Sequence, residues 1–199
     1  MVWVASIFMC GLAQAAQTIL VFGDSVSAAY GIAEQRGWVA LLAGQLKREQ
    51  RDYIVVNASI SGETTAGGLA RLPKMLQAHR PAIVVLALGG NDGLRGLPVA
   101  QMKRNLAAMV EAAQRAGARV LLVGMRLPPN YGPEYTRAFE AAFTEVAKER
   151  RAALLPFLFE GFGEREDLFQ PDRIHPNDAA QPLIADNVMK ALRPLLRRR

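Results

Sequence analysis

With 199 residues the chain is long enough for one sizeable domain but not for two of ordinary size. It is 51% hydrophobic and 21% charged, which excludes a disordered chain, while one cysteine and two histidines exclude an internal disulfide and a Cys/His zinc site. The net charge of +6 includes a terminal bunch of arginines (Arg193, Arg197, Arg198, Arg199) that reads as a solvated end, so no nucleic-acid partner is expected.

The first fifteen residues, MVWVASIFMCGLAQA, carry no charge and close on Ala13-Gln14-Ala15, the pattern of a secretory signal and its cleavage site, although the usual Lys or Arg near the start is missing. The stretch is too short for a comfortable membrane span. This divides the chain into a signal over 1–15 and one domain over 16–199. Cleavage near Ala15 would remove Cys10 and deliver a periplasmic or secreted protein with no stable membrane insertion.

Apolar, largely β-branched runs then recur at 18–22, 53–57, 82–88, 119–124 and, less regularly, 153–159. Near-continuous apolar strands suit a parallel sheet covered on both faces. Helical spacing appears between them, in Trp38, Leu41, Leu42 and Leu46, in Met102, Leu106, Met109 and Val110, in Tyr135, Phe139, Ala142, Phe143 and Val146, and in Ile184, Val188, Leu192 and Leu195. These stripes are core faces. The order predicts one doubly wound, three-layer α/β/α domain with a five-stranded, mainly parallel, flavodoxin-like sheet.

Ligands in such folds sit at the carboxyl ends of the strands. The first strand ends in Gly23-Asp24-Ser25, the second runs into the glycine-rich loop 57–68 with Gly62, and the third ends in GGNDG (89–93) with Asn91. A late loop, PDRIHPND (171–178), sets Asp172 three residues before His175. A serine hydroxyl needs a base to take its proton, and an imidazole oriented by a carboxylate is the usual one. Asp172 and His175 offer that pair, and Pro176 biases His175 toward extended backbone. The backbone N–H groups of Ser25 and Gly62 and the side-chain amide of Asn91 are candidate oxyanion donors. Each element also has an ordinary reading: a loop salt bridge, turn glycines, and helix caps at Ser25, Asn91 and Asp92. His79, in AHRP, reads as the end of a surface helix at the opposite edge of the sheet.

Together FGDSVS, the glycine after NASIS, GGND and DRIHPN resemble the four blocks of the SGNH (GDSL-type) hydrolase family, in order, over residues 22 to 177. The longer strings VVNASISGETTAGGLARLP, LGGNDGLRG, RLPPNYG and IHPNDAAQP are similar to the thioesterase, lysophospholipase and arylesterase branch of that family. The resemblance implies Ser25 as nucleophile, His175 as general base and then acid, Asp172 as its orienting partner, and an oxyanion hole from Ser25, Gly62 and Asn91. It further implies hydrolysis of small-molecule or lipid acyl esters and thioesters through an acyl-serine, with no cofactor and no metal. Leu94, Leu97, Leu127 and Pro128 are candidate walls of the acyl groove, and a monomer suffices. The alternatives are a short-chain carbohydrate acetylesterase of the same fold and a non-catalytic, flavodoxin-like binding protein, the latter weakened by the absence of G-x-x-x-x-G-K-[ST] and G-x-G-x-x-G.

Overall fold

A computed structural model describes residues 16–196; the signal expected over 1–15 and the arginines at 197–199 lie outside the described residues. Five strands, β1 (Gln17–Gly23), β2 (Tyr53–Asn57), β3 (Ile83–Ala87), β4 (Arg119–Val123) and β5 (Ala153–Leu155), form one sheet in the order β2-β1-β3-β4-β5. Every pairing is parallel. This is the flavodoxin strand order, with its switch point between β1 and β3.

The strands are apolar throughout because both faces of the sheet are covered. Ile19 and Val21 of β1 share one core with Trp38, Leu42 and Leu46 of α1 (Trp38–Arg48) and with Ile184 and Val188 of α6 (Gln181–Leu192). The alternate residues Leu20 and Phe22 face a second core made by α2 (Thr65–His79), α4 (Val99–Arg115) and α5 (Pro133–Arg150). A short helix, α3 (Gly90–Leu94), follows β3. Among the described residues no helix is long and apolar enough to cross a membrane.

Two predicted spans differ. The glycine-rich stretch 57–68 is a loop only as far as Thr64, whose side chain caps α2 by accepting from Gly67 N–H at 3.4 Å. Gly68 is therefore a helical residue, buried against Leu88 and Phe22, where a side chain would leave no room for the close approach of helix and sheet. The run at 153–159 is strand only to Leu155. Pro156 has no N–H to extend the ladder, and its carbonyl packs against Gly124, where a Cβ would clash. Leu158 N–H instead bonds Gly124 O at 3.0 Å as the chain turns away.

Two of the helical glycines, Gly44 and Gly68, should respond oppositely to alanine. At Gly44, in α1, an added Cβ meets only the Arg48 guanidinium at 3.3 Å, so Gly44→Ala should gain up to about 1 kcal/mol of helix propensity. At Gly68 the Cβ overlaps Leu88, and Gly68→Ala should cost about 1–3 kcal/mol of overpacking before that gain is subtracted. Urea midpoints at unchanged slope would show one variant above and one below the parent; midpoints moving the same way would contradict the packing of α2.

Candidate active site

Ser25 stands two residues beyond the end of β1, at the switch point. The ladder continues past β2 into the loop beside it: Ala58 N–H bonds Val21 O at 2.9 Å and Ile60 N–H bonds Gly23 O at 3.1 Å. The turn after β1 closes on itself through Ala28 N–H to Asp24 O and Tyr30 N–H to Ser25 O, with Ala29 held at φ 58°. A non-glycine residue in the left-handed region is strained, and such strain gathers at functional sites.

His175 comes from a loop between β5 and α6 that is closed by Gln170 N–H to His175 O (2.7 Å) and Asn177 N–H to Leu168 O (2.9 Å). Its imidazole spans 150 residues of sequence to reach Ser25: Nε2 lies 2.9 Å from Ser25 Oγ, and Nδ1 lies 2.6 Å from Asp172 Oδ2. The other Asp172 oxygen accepts from the Ile174 and His175 backbone N–H groups at 2.9 and 3.0 Å, a turn that holds Arg173 at φ 57°. Partial burial acts to raise the Asp172 carboxyl, but the His175 backbone N–H, the imidazole and the Ile174 N–H together hold it at about 2. An ionised carboxylate only accepts, so Nδ1 carries the proton, and the bare Nε2 of the neutral ring accepts from the Ser25 hydroxyl.

Asn91, in the first turn of α3, donates from Nδ2 to Glu63 O at 3.1 Å and, more weakly, to Asp24 Oδ2 at 3.4 Å. It thereby joins the residue before Ser25 to the residue after Gly62. Gly62 itself has φ 79°, and its carbonyl accepts from Arg95 Nη2 at 3.0 Å. Arg71 anchors the same loop through Glu63 (2.9 Å) and Ala58 O (2.8 Å) while lying over the Phe22 ring. Asp92 points inward and accepts from Thr65 N–H and Oγ1–H at 2.8 and 2.5 Å, tying α3 to the start of α2.

The expected groove residues have different surroundings. Leu97 and Pro128 are exposed and Leu94 is half-buried, whereas Leu127 is only 8% exposed and packs under Gly93 in the second core. Leu127 thus supports α3 from below instead of lining an open wall. Tyr131 Oη and Tyr135 Oη bond the Leu94 and Leu97 carbonyls at 2.9 and 2.8 Å, fixing the loop that presents both leucines. His79 ends α2 at the amino edge of the sheet, away from Ser25.

Several contributors were not singled out from sequence. Gln170 bridges the two halves of the site, donating from Nε2 to Tyr30 O (2.8 Å) and Pro176 O (3.1 Å). Buried Gln181 accepts from Trp38 N–H at 3.0 Å and donates to Asn177 O at 3.1 Å. The Tyr30 ring lies 4.5 Å from the His175 ring, centroid to centroid. Tyr30 follows FGDSVS by three residues and Gln181 lies within IHPNDAAQP, and those strings were their available signals; Gln170 lies in none of them.

Asp24 is 7% exposed, and burial pushes its carboxyl up from 3.8 to about 6, against the Val26 N–H bond (3.2 Å) and the nearby His175, which act downward; Asp92 acts upward. Because the folded value is the higher one, the folded state binds the extra proton. The stabilisation is complete below about pH 4 and is lost as pH rises through about 6, amounting to about 3 kcal/mol at 1.36 kcal/mol per unit. Urea unfolding of the parent, set against Asp24→Asn from pH 4 to 8, should show that decline in the parent alone. Parallel curves would mean that Asp24 is not desolvated.

The sequence and the fold are shared with known proteins. Residues 21–182 match the GDSL-like Lipase/Acylhydrolase family. The chain is 56% identical over 182 residues to "Esterase TesA" of Pseudomonas aeruginosa, covering 92% of this chain and 90% of that one. It is 46% identical over 184 residues to "Thioesterase 1/protease 1/lysophospholipase L1" of Escherichia coli K12, covering 92% and 87%. A crystal structure of TesA superposes with a TM-score of 0.89 at 55% identity, over 90% of this chain and all of that one. The strand order, the residues gathered at its switch point and these relatives lead to one assignment: the chain belongs to the GDSL-like lipase/acylhydrolase family.

Proposed function

We propose that the chain hydrolyses acyl esters and thioesters by a two-step acyl transfer through Ser25. The carrying observation is the hydrogen-bonded series from Asp172 through His175 to Ser25, at 2.6 and 2.9 Å. Ser25 Oγ attacks the carbonyl carbon as its proton passes to His175 Nε2. The carbonyl oxygen takes the negative charge, facing the Ser25 and Gly62 N–H groups and the Asn91 amide. The long Asn91–Asp24 contact is the one that yields a hydrogen to it. Collapse breaks the bond to the leaving oxygen or sulfur, which departs with the proton from Nε2. Water then attacks the acyl-serine, giving a proton to Nε2 that returns to Ser25 Oγ as the acid leaves. The names of the relatives, an esterase and a thioesterase/lysophospholipase, support acyl groups on oxygen and on sulfur as substrates.

The acyl chain lies on the side of α3, along Leu94, Leu97 and Pro128, with Leu127 beneath. One chain supplies every group, so a monomer is sufficient. Residues 1–15 act as an export signal and 16–199 as the hydrolase domain in the periplasm. Cleavage after Ala15 leaves β1 whole, since that strand begins at Gln17.

The test is the intact mass of purified protein after exposure to a fluorophosphonate, with peptide mapping, beside Ser25→Ala. One adduct on Ser25 is expected, none in the variant, and the variant's ester hydrolysis should fall by at least about 10³-fold. No adduct on folded protein would overturn the reading. Asn91→Ala should lose about 10²–10³ in kcat with a smaller change in KM, as expected for a donor used in the transition state. Equal activity on acetyl and longer acyl esters in a p-nitrophenyl series supports a lipid-type substrate; acetyl alone would favour the acetylesterase.

A further inference from the structure

The exposed apolar side chains are not scattered. Among the described residues, Tyr30, Ile60, Leu97 and Ile174 are exposed large hydrophobics on the loops that surround Ser25, leaving Ile54 and Leu183 elsewhere. Single exposed hydrophobics need no explanation, but a set gathered around one site does. Leu97 belongs to the α3 side. Tyr30 and Ile174 belong to the histidine side: Ile174 precedes His175 in the chain, and the Tyr30 ring stands 4.5 Å from the imidazole at an interplanar angle of 39°. Tyr30 is 52% exposed, so about half of the residue is left open to something else.

That ring is held in place by its backbone. Tyr30 N–H bonds Ser25 O at 3.0 Å, and its carbonyl accepts from Gln170 Nε2 at 2.8 Å. Ala29 before it has φ 58° and Gly31 after it φ 76°. A side chain at Gly31 would overlap the Gln170 amide, so this close approach requires the glycine. An exposed aromatic ring on a strained, doubly tethered backbone is presented, not merely tolerated.

Chemistry fixes which half of a substrate meets it. The imidazole must deliver its proton to the departing atom, so the departing group lies against His175, while the carbonyl oxygen and acyl chain lie toward Gly62 and Asn91. We propose that Tyr30, together with Ile174 of the histidine loop, forms a leaving-group subsite that favours esters of flat or bulky apolar alcohols over esters of small ones. This rests on the acyl-transfer reading above and assigns the departing half of its substrate.

The experiment compares kcat/KM for ethyl butyrate and 2-naphthylmethyl butyrate, which share an acyl group and both release an alkanol, in the parent, Tyr30→Ala and Tyr30→Phe. Tyr30→Ala should lose about 10–100-fold more on the naphthylmethyl ester than on the ethyl ester, the scale of one aromatic contact plus its buried area. Tyr30→Phe should restore the parent's ratio, since the ring and not the hydroxyl makes the contact. Transient kinetics separate this from a ring that only steadies His175: the loss should fall on acylation, when the leaving group is present, more than on deacylation of the common butyryl-serine. Equal losses on both esters, equal slowing of both steps, or no loss on the naphthylmethyl ester would each overturn the subsite. Failure of the underlying reading shows separately, as ester hydrolysis that survives Ser25→Ala.

Discussion

The site depends first on β1 being hydrogen-bonded along both edges. Its register runs from Val21 opposite Asn57 on one side to Gly23 opposite Ala87 on the other, so neither edge is free to slide. A one-residue slip would swap Leu20 and Phe22 with Ile19 and Val21 between two different cores. Ser25, two residues past that ladder, inherits this rigidity. The Gly62 loop shares it, because its first residues continue the β2 ladder against β1. Asn91 is brought in by β3 on the other edge and then bonded to both loops. The candidate nucleophile and the candidate oxyanion donors are thus three consequences of one strand's position.

The histidine half has no such support. No strand ladder carries its loop, and its backbone is closed by local bonds around Gln170 and Asn177. What locates the loop on the sheet is Leu168 and Phe169 packed into the first core, together with Gln170 to Tyr30 O and Gln181 between Trp38 N–H and Asn177 O. Gln181 and Trp38 are buried, so that tether runs through the core, while Gln170 works at the surface. The Ser25–His175 contact therefore joins a part of the site held by two strand ladders to a part held by side-chain packing and side-chain hydrogen bonds.

Much of this was legible in the sequence, because strand ends in a parallel α/β fold are found by composition alone. Ser25, Gly62 and Asn91 each follow an apolar run, and Asp172 with His175 is a local pair that no long-range contact is needed to notice. Local pattern failed where three-dimensional closeness decides. The GETTAGG stretch reads as a loop by composition, yet its last two glycines lie in α2, where Gly68 lets the helix pack closely on Leu88 and Phe22. Leu127 reads as a wall because it is apolar and near the rim, yet Phe139 and Gly93 pack around it. Asp24 stands out in the sequence only as the acid before Ser25, and its burial alone reveals an unusual carboxyl.

The two carboxylates next to the Ser25–His175 pair are driven apart by their surroundings. Asp172 accepts three N–H bonds at a partly exposed position and is held at about 2; Asp24 accepts one backbone N–H inside the rim and is pushed to about 6. Hydrogen bonding outweighs desolvation in the first and desolvation outweighs hydrogen bonding in the second. The difference bears on where a proton taken from Ser25 can go. A carboxylate held at about 2 does not accept one near neutral pH, so in the proposed mechanism the proton stays on the imidazole, stabilised by Asp172 without being transferred to it. Asp24 is ionised above about pH 6 and favours the charged imidazole from the other side of the serine. In that mechanism the proton has one productive exit, the departing atom of the substrate, and for that reason the proposed leaving-group subsite lies among the groups ringing His175.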